Sequence, residues 1–262
     1  MNLEIKRQSR VLRIILDRPQ KRNALTLDMC SGIADAVESV QDDPDIGSIF
    51  ISAAGKVFCA GMDVDERGAA SPSRLAEVHD RLFTMGSKSL KPIVLAVNGA
   101  AMGGGLGLVT QGHVVIAASS SAFALPEIRL GLWPFLVYRS IEEAIGPRRM
   151  LALSLTGHTF HAEEALAWGI VHHMCPDDEV LDRAGAIASD LAKASPAAIT
   201  AGMRYVRDAR GKSWDEAGQI AAELRDQLMD HADFEEGCRA FKERREPRWP
   251  SMPQEFYARP RA

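Results

Sequence analysis

The chain has 262 residues, of which 46% are hydrophobic and 25% charged, the proportions of an ordinary folded soluble protein rather than a disordered or fibrous one. Its 31 basic and 35 acidic residues leave a net charge of −4, which argues against a nucleic-acid-binding surface spread over the molecule. Four cysteines (Cys30, Cys59, Cys175, Cys238) are too few and too scattered for a disulfide framework or a CxxC metal site.

In chain order, Met1 to Arg13 carries charges throughout and has no apolar core of signal-peptide length, so the chain is read as cytoplasmic with reduced thiols. Val11–Leu16 reads as a strand ended by Asp17-Arg18-Pro19. Thr26 or Asp28 can cap a helix marked by Met29, Ile33, Val37 and Val40. Ile46–Ile51 reads as a second strand, followed by the small-residue loop Phe58–Asp63. Leu75, Val78, Leu82 and Met85 mark a helix, Ile93–Val97 a strand, Gly99–Gly105 a loop and Leu106–Gln111 a helix start. Val114–Ala118 and Ala122–Leu125 read as strands. Beyond Glu127 helices dominate: 141–155, 162–168, 180–194, 196–208, 214–229 and 234–244, with only Ile170–Met174 strand-like between them. Pro196 after Ser195 suits a first helical position. The last 16 residues hold four prolines and read as extended. The layout predicts an α/β core over residues 1–195 and a C-terminal helical appendage with its tail over residues 196–262.

One run stands apart. No Asp, Glu, Lys or Arg occurs from residue 92 to residue 126, a gap of 35 positions between Lys91 and Glu127. A membrane-spanning helix needs about 20 mostly apolar residues, but Asn98, four glycines between residues 103 and 107, Gln111 and His113 break this run. A buried strand–loop–helix–strand unit fits it better, because strands covered on both faces read as unbroken apolar strings.

The glycine-dense loop inside the gap fails the dinucleotide pattern G-x-G-x-x-G, and no lysine follows it as a phosphate loop requires. The chain contains neither a G-x-S-x-G elbow nor an H-E-x-x-H metal motif, and its paired histidines lack ligand spacing. A strand, a glycine-rich loop and a helix start still place free amides at a positive helix end. Such a loop can cradle a phosphate or stabilise an oxyanion. The loop Cys59-Ala60-Gly61-Met62 follows its own strand in the same way, so the two loops could aim one amide each at a shared point.

Several motifs occur in order: Arg18-Pro19 with Asn23-Ala24-Leu25, Phe58 to Asp63, Ala96-Val97-Asn98-Gly99 with Gly103-Gly104-Gly105, Leu125-Pro126-Glu127-Ile128 with Leu130-Gly131-Leu132, Leu155-Thr156-Gly157, and Gly169-Ile170-Val171. Over about residues 3–245 the chain resembles the crotonase family, also called the enoyl-CoA hydratase/isomerase family. The resemblance implies a crotonase-like ββα spiral core and an acyl-CoA thioester whose enolate is held in an oxyanion hole. It implies the amides of Met62 and Gly104 as donors and Glu127 as catalytic acid/base. Met62, Asp63, Val64 and Asp65 would line the thioester and CoA, with Leu25 and Ala60 near the adenine end. No cofactor is implied beyond the coenzyme A of the substrate, and no metal. A homotrimer or hexamer is implied, with the C-terminal helices at the contacts and with neither nucleic acid nor membrane as partner.

The departure from the family that bears most on the chemistry is at residue 107. Family hydratases work with two glutamates, one of them three residues after the middle glycine of the triple-glycine run; here that residue is Gly107. Glu127 is then the one carboxylate of the pocket, unless it caps a helix or pairs with Arg129. A single carboxylate suits double-bond isomerisation, in which one base takes a proton from one carbon and returns it to another. Phe135 stands where some relatives carry an aspartate, and with Trp133 and Pro134 it is expected to form an apolar wall of the acyl pocket that raises the pKa of Glu127. Hydration proper and non-catalytic acyl-CoA binding are the alternatives.

Overall fold

The computed structural model describes residues 2–66, 68 and 70–258 and builds the core on two sheets. Strands β1 (Leu3–Gln8) and β2 (Val11–Leu16) form an antiparallel hairpin. Its turn, Ser9-Arg10, has both residues at positive φ, 46° and 66°. Such two-residue turns normally use Asn-Gly, and β1 is charged and mostly exposed, so the pattern of residues predicts neither.

After α1 (Leu27–Glu38) the chain three times lays a strand in each sheet and then a helix. The units are β3 (Ser48–Ala53), β4 (Val57–Cys59) and α2 (Pro72–Lys88), then β5 (Ile93–Val97), β6 (Ala100–Met102) and α3 (Gly104–Val109). The third is β7 (Val114–Ala118), β8 (Ala122–Ala124), a 3₁₀ turn over Pro126–Leu130 and α4 (Phe135–Ile145). This is the ββα spiral that the resemblance implies. The rest runs α5 (Pro147–Thr156), β9 (Thr159–His161), α6 (Ala162–Trp168), β10 (His173–Cys175), α7 (Val180–Leu191), α8 (Pro196–Asp208), α9 (Trp214–Met229), α10 (Ala232–Glu243) and α11 (Glu255–Ala258).

The larger sheet has the order β1-β2-β3-β5-β7-β10, parallel from β2 onward, and the smaller has the order β4-β6-β8-β9. Alternate side chains of one strand face opposite layers: Ile49 and Ile51 join the main core, whereas Phe50 packs with Val94, Ala96 and Ile116 under Ala184 and Ala188 of α7. Covering on both faces explains the uncharged run, since every residue of β5 is buried.

Three expectations shift. Strands β4, β6 and β9 lie where loops or no strand are expected, because three residues are too few to show a period. The single helix expected over 141–155 is two, parted at Gly146 (φ +79°), after which Pro147 opens α5. The tail is not wholly extended but holds α11, and Pro260 lies outside the described residues.

Helices α8 and α9 bury no residue, and Trp214 is 95% exposed. α10 is anchored by Asp233, whose carboxylate accepts hydrogen bonds from Ser195 Oγ (2.5 Å), Ser251 Oγ (2.6 Å) and Ser251 N–H (2.9 Å). No helix among the described residues is long and apolar enough to cross a membrane.

Candidate active site

The site begins in the loop after β2. Arg22 and Asn23 adopt left-handed backbone, φ 52° and 54°. Asn23 is fully buried, accepting from Arg18 N–H (2.8 Å) and donating to Ala54 O (2.9 Å) and Val57 O (2.8 Å). That clamp delivers Leu25 to the loop after β4. Leu25 N–H donates to Gly61 O and Asp63 N–H to Leu25 O, both at 2.8 Å. In this parallel bridge the N–H of Met62 faces away from Leu25, and it has no partner among the described residues.

The loop is braced from two sides. Arg18 Nη1 donates to Asp63 Oδ2 at 2.5 Å with both side chains largely buried, which holds the Asp63 carboxyl below the usual carboxylate range. Asp63 Oδ1 accepts from Asp65 N–H at 3.0 Å, and Glu66 Oε2 accepts from Leu27 N–H at 2.8 Å, at the positive end of α1.

The second loop enters from β6. Gly103 (φ +52°) donates its N–H to Ala124 O at 2.9 Å and turns the chain into α3. Gly104 then opens the helix, where first-turn amides have no partner within the helix. The two loops meet: a Cβ added at Gly61 would lie 3.6 Å from Gly104 N, and one added at Gly104 would lie 3.1 Å from Met62 Sδ.

Glu127 closes the arrangement from the 3₁₀ turn after β8. A Cβ added at Gly103 would stand 2.8 Å from Glu127 Oε1, so the carboxylate lies against the residue next to Gly104. Glu127 Oε2 is buried with no partner among the described residues, while Arg129 donates to Gly157 O at 3.0 Å. Pairing with Arg129 is thereby ruled out. Burial pushes the Glu127 carboxyl above the usual glutamate range, and its own backbone N–H offsets only part of that.

Gly107 faces a filled space. A Cβ there would stand 2.1 Å from Val137 Cγ1 and 3.1 Å from Phe83 Cε1. Val137, buried on α4, thus occupies the volume a larger residue at position 107 would need. Gly107→Ala is therefore expected to destabilise the fold by about 1–3 kcal/mol through overpacking. Val137→Ala in the same chain should recover part of that loss, and thermal unfolding of the three variants checks it.

Other expected site residues are placed less centrally. The Leu25 side chain is 1% exposed and belongs to the core, so only its backbone reaches the loop. Ala60 N–H is held by Arg22 O at 3.0 Å. Val64 is exposed, and exposed Asp65 pairs with Lys21 at 3.1 Å. Phe135 is 74% exposed at the start of α4, two residues before buried Val137. Trp133 stacks on Tyr138 with centroids 6.1 Å apart. His113 and His172 accept backbone N–H bonds from Ile93 and Val115 and are structural. Phe83 and Val137, which line the glycine loop, carry no signal beyond their place in an apolar helical stripe. Elsewhere, a groove of about 360 Å³ is lined by Arg149, Leu153, His158 and Trp168.

The two loops thus bring Met62 and Gly104 together, near the half-buried Glu127 carboxylate, whose pKa burial raises. That arrangement can stabilise a developing oxyanion and move one proton.

The profile of the family described as enoyl-CoA hydratase/isomerase matches residues 6–252. Enoyl-CoA hydratase EchA19 of Mycobacterium tuberculosis is 30% identical over 259 residues, covering 93% of this chain and 94% of the relative. Carnitinyl-CoA dehydratase of Salmonella arizonae is 33% identical over 262 residues, covering 95% and 98%. The crystal structure of enoyl-CoA hydratase from Mycobacterium tuberculosis H37Rv matches with a TM-score of 0.86 and 29% identity, covering 96% of this chain and 99% of that one.

Proposed function

The chain belongs to the enoyl-CoA hydratase/isomerase family, whose members process acyl-CoA thioesters, and from that premise we propose that it shifts a double bond along an acyl-CoA chain. The thioester oxygen would accept hydrogen bonds from the amides of Met62 and Gly104. Glu127 would take a proton from C2 of a 3-enoyl thioester, the electron pair moving into the oxyanion to give a dienolate. The protonated Glu127 would return the proton at C4, leaving the double bond between C2 and C3. Coenzyme A enters as part of the substrate, and no other cofactor is invoked.

The observation that carries this reading is the filled space at Gly107. With Val137 Cγ1 2.1 Å from where its Cβ would stand, no second carboxylate projects from that position to activate water. Purified protein should convert 3-enoyl-CoA to 2-enoyl-CoA faster than it hydrates crotonyl-CoA. Rapid hydration of crotonyl-CoA, abolished in Glu127→Gln, would instead support the hydratase activity named for the relatives. Thioester binding without turnover of either substrate would support a non-catalytic acyl-CoA-binding protein.

The exposed apolar residues Trp214, Val206 and Met229 on α8 and α9 favour a homotrimer, or a hexamer of two trimers, that covers them. Sedimentation should show the oligomer, and a purely monomeric species would overturn this assignment. Four free thiols, three of them buried, agree with a reducing cytoplasmic setting.

A further inference from the structure

Four buried side-chain polar atoms lack a hydrogen-bond partner among the described residues, and two of them belong to residues linked to the glycine loop, Glu127 directly and His79 through Phe83. Glu127 Oε2 is used by the proposed chemistry; His79 Nε2 is not. His79 is 9% exposed on α2, one turn before Phe83, and the two ring centroids are 6.2 Å apart. Phe83 in turn touches the glycine loop: its Cζ lies 3.5 Å from where a Cβ on Gly104 would stand.

The direction of α2 follows from two contacts. Gly86 packs against the backbone of Gln111, just past the C-terminal end of α3, whereas Phe83 packs against Gly104 and Gly107 nearer its start. α2 and α3 therefore run the same way. The turn of α2 that carries His79 lies beyond the first residue of α3, on the side toward which the Gly104 amide points.

Leaving a buried imidazole nitrogen unpaired is costly, and native structures satisfy most such groups. Burial holds His79 below the usual histidine range, so the ring is neutral near pH 7, and Nε2 donates or accepts according to tautomer. A hydroxyl suits either tautomer, because it both donates and accepts. Glu127 lies against Gly103, where the proposed chemistry puts the reacting carbons, while His79 is one ring removed from Gly104, through Phe83. The partner should thus sit farther along the acyl chain than the reacting atoms.

We propose that His79 Nε2 hydrogen-bonds a hydroxyl group carried beyond C3 of the acyl chain, making hydroxylated acyl-CoA thioesters the preferred substrate class. This inference rests on the acyl-CoA reading of the site. It is tested by titrating the full-length protein with saturated thioesters that cannot react: hexanoyl-CoA and its 4-, 5- and 6-hydroxy derivatives. At least one hydroxy isomer should bind about tenfold tighter than hexanoyl-CoA, the scale of one buried hydrogen bond. His79→Phe should erase that preference while keeping or raising hexanoyl-CoA affinity, and His79→Gln, with its amide donor and acceptor, should retain part of it. Equal binding of all four thioesters by the wild-type protein would overturn the proposal, even if His79→Phe failed to fold. A preference that survives in His79→Phe would overturn it as well. Failure of every thioester to bind would overturn the acyl-CoA reading itself, a distinct result.

Discussion

Glu127→Gln should lower turnover of a 3-enoyl-CoA by about 10²–10⁴-fold while leaving thioester affinity nearly unchanged. The amide keeps the size and polarity of the carboxyl but cannot accept the C2 proton. Retained binding, measured by titration with a saturated thioester, separates lost proton transfer from lost structure. The pH dependence has a definite sign. Burial raises the Glu127 pKa, and the first step needs the deprotonated form. The rate should therefore fall as pH drops through a value above the usual glutamate range, and rise to a plateau above it. Wild-type activity that stays flat through that range would contradict the assignment, as would full turnover by Glu127→Gln.

Gly104→Pro should cost about 10²–10³ in turnover, the usual loss of one oxyanion donor. Backbone amides cannot be removed by ordinary side-chain exchange, but proline deletes one. Gly104 is the first residue of α3, a position that tolerates proline because its N–H has no partner within the helix. The added ring meets Met62 Sδ at 3.1 Å from its Cβ, and that flexible side-chain end can move aside. The variant should thus fold, with circular dichroism like that of the parent. A folded Gly104→Pro protein with full activity would remove Gly104 from the oxyanion hole.

Much of this was legible in the residues. The 35-residue uncharged run gave away strands covered on both faces, and the order of Gly61, Gly103 and Glu127 located the loops that meet. Helices α8 and α9 match their expected bounds because Ser195-Pro196 and Ser213 mark their starts. Other features were hidden for physical reasons. The hairpin turn Ser9-Arg10 uses two residues that seldom adopt positive φ, so β1 gives no turn signal. Phe135 reads as pocket lining from its place eight residues after Glu127 beside Trp133 and Pro134, and no local pattern foretells that it is exposed while Val137, two residues on, is buried. Whether Gly107 faces open or filled space depends on Val137, 30 positions away, and on Phe83, which no local pattern links to it. His79 was hidden by its setting, a polar residue beside Val78 within an otherwise apolar stripe.

The arrangement of Arg18, Asn23 and Asp63 also gives the first loop a role distinct from contact with substrate. Asn23 fixes the left-handed turn, and Arg18 ties that turn to Asp63, the neighbour of Met62. Through these bonds the backbone on either side of Met62 is held in place, so under the proposed chemistry the Met62 amide, not its side chain, would meet the substrate.

The most direct test of the proposed chemistry is a crystal structure with a non-reactive acyl-CoA bound. The thioester oxygen should lie about 2.7–3.1 Å from the amide nitrogens of both Met62 and Gly104, with Glu127 beside C2 and C4 and Val137 still packed against Gly107. A thioester bound elsewhere, such as the groove of Arg149 and Trp168, or one with its carbonyl turned away from both amides, would contradict it.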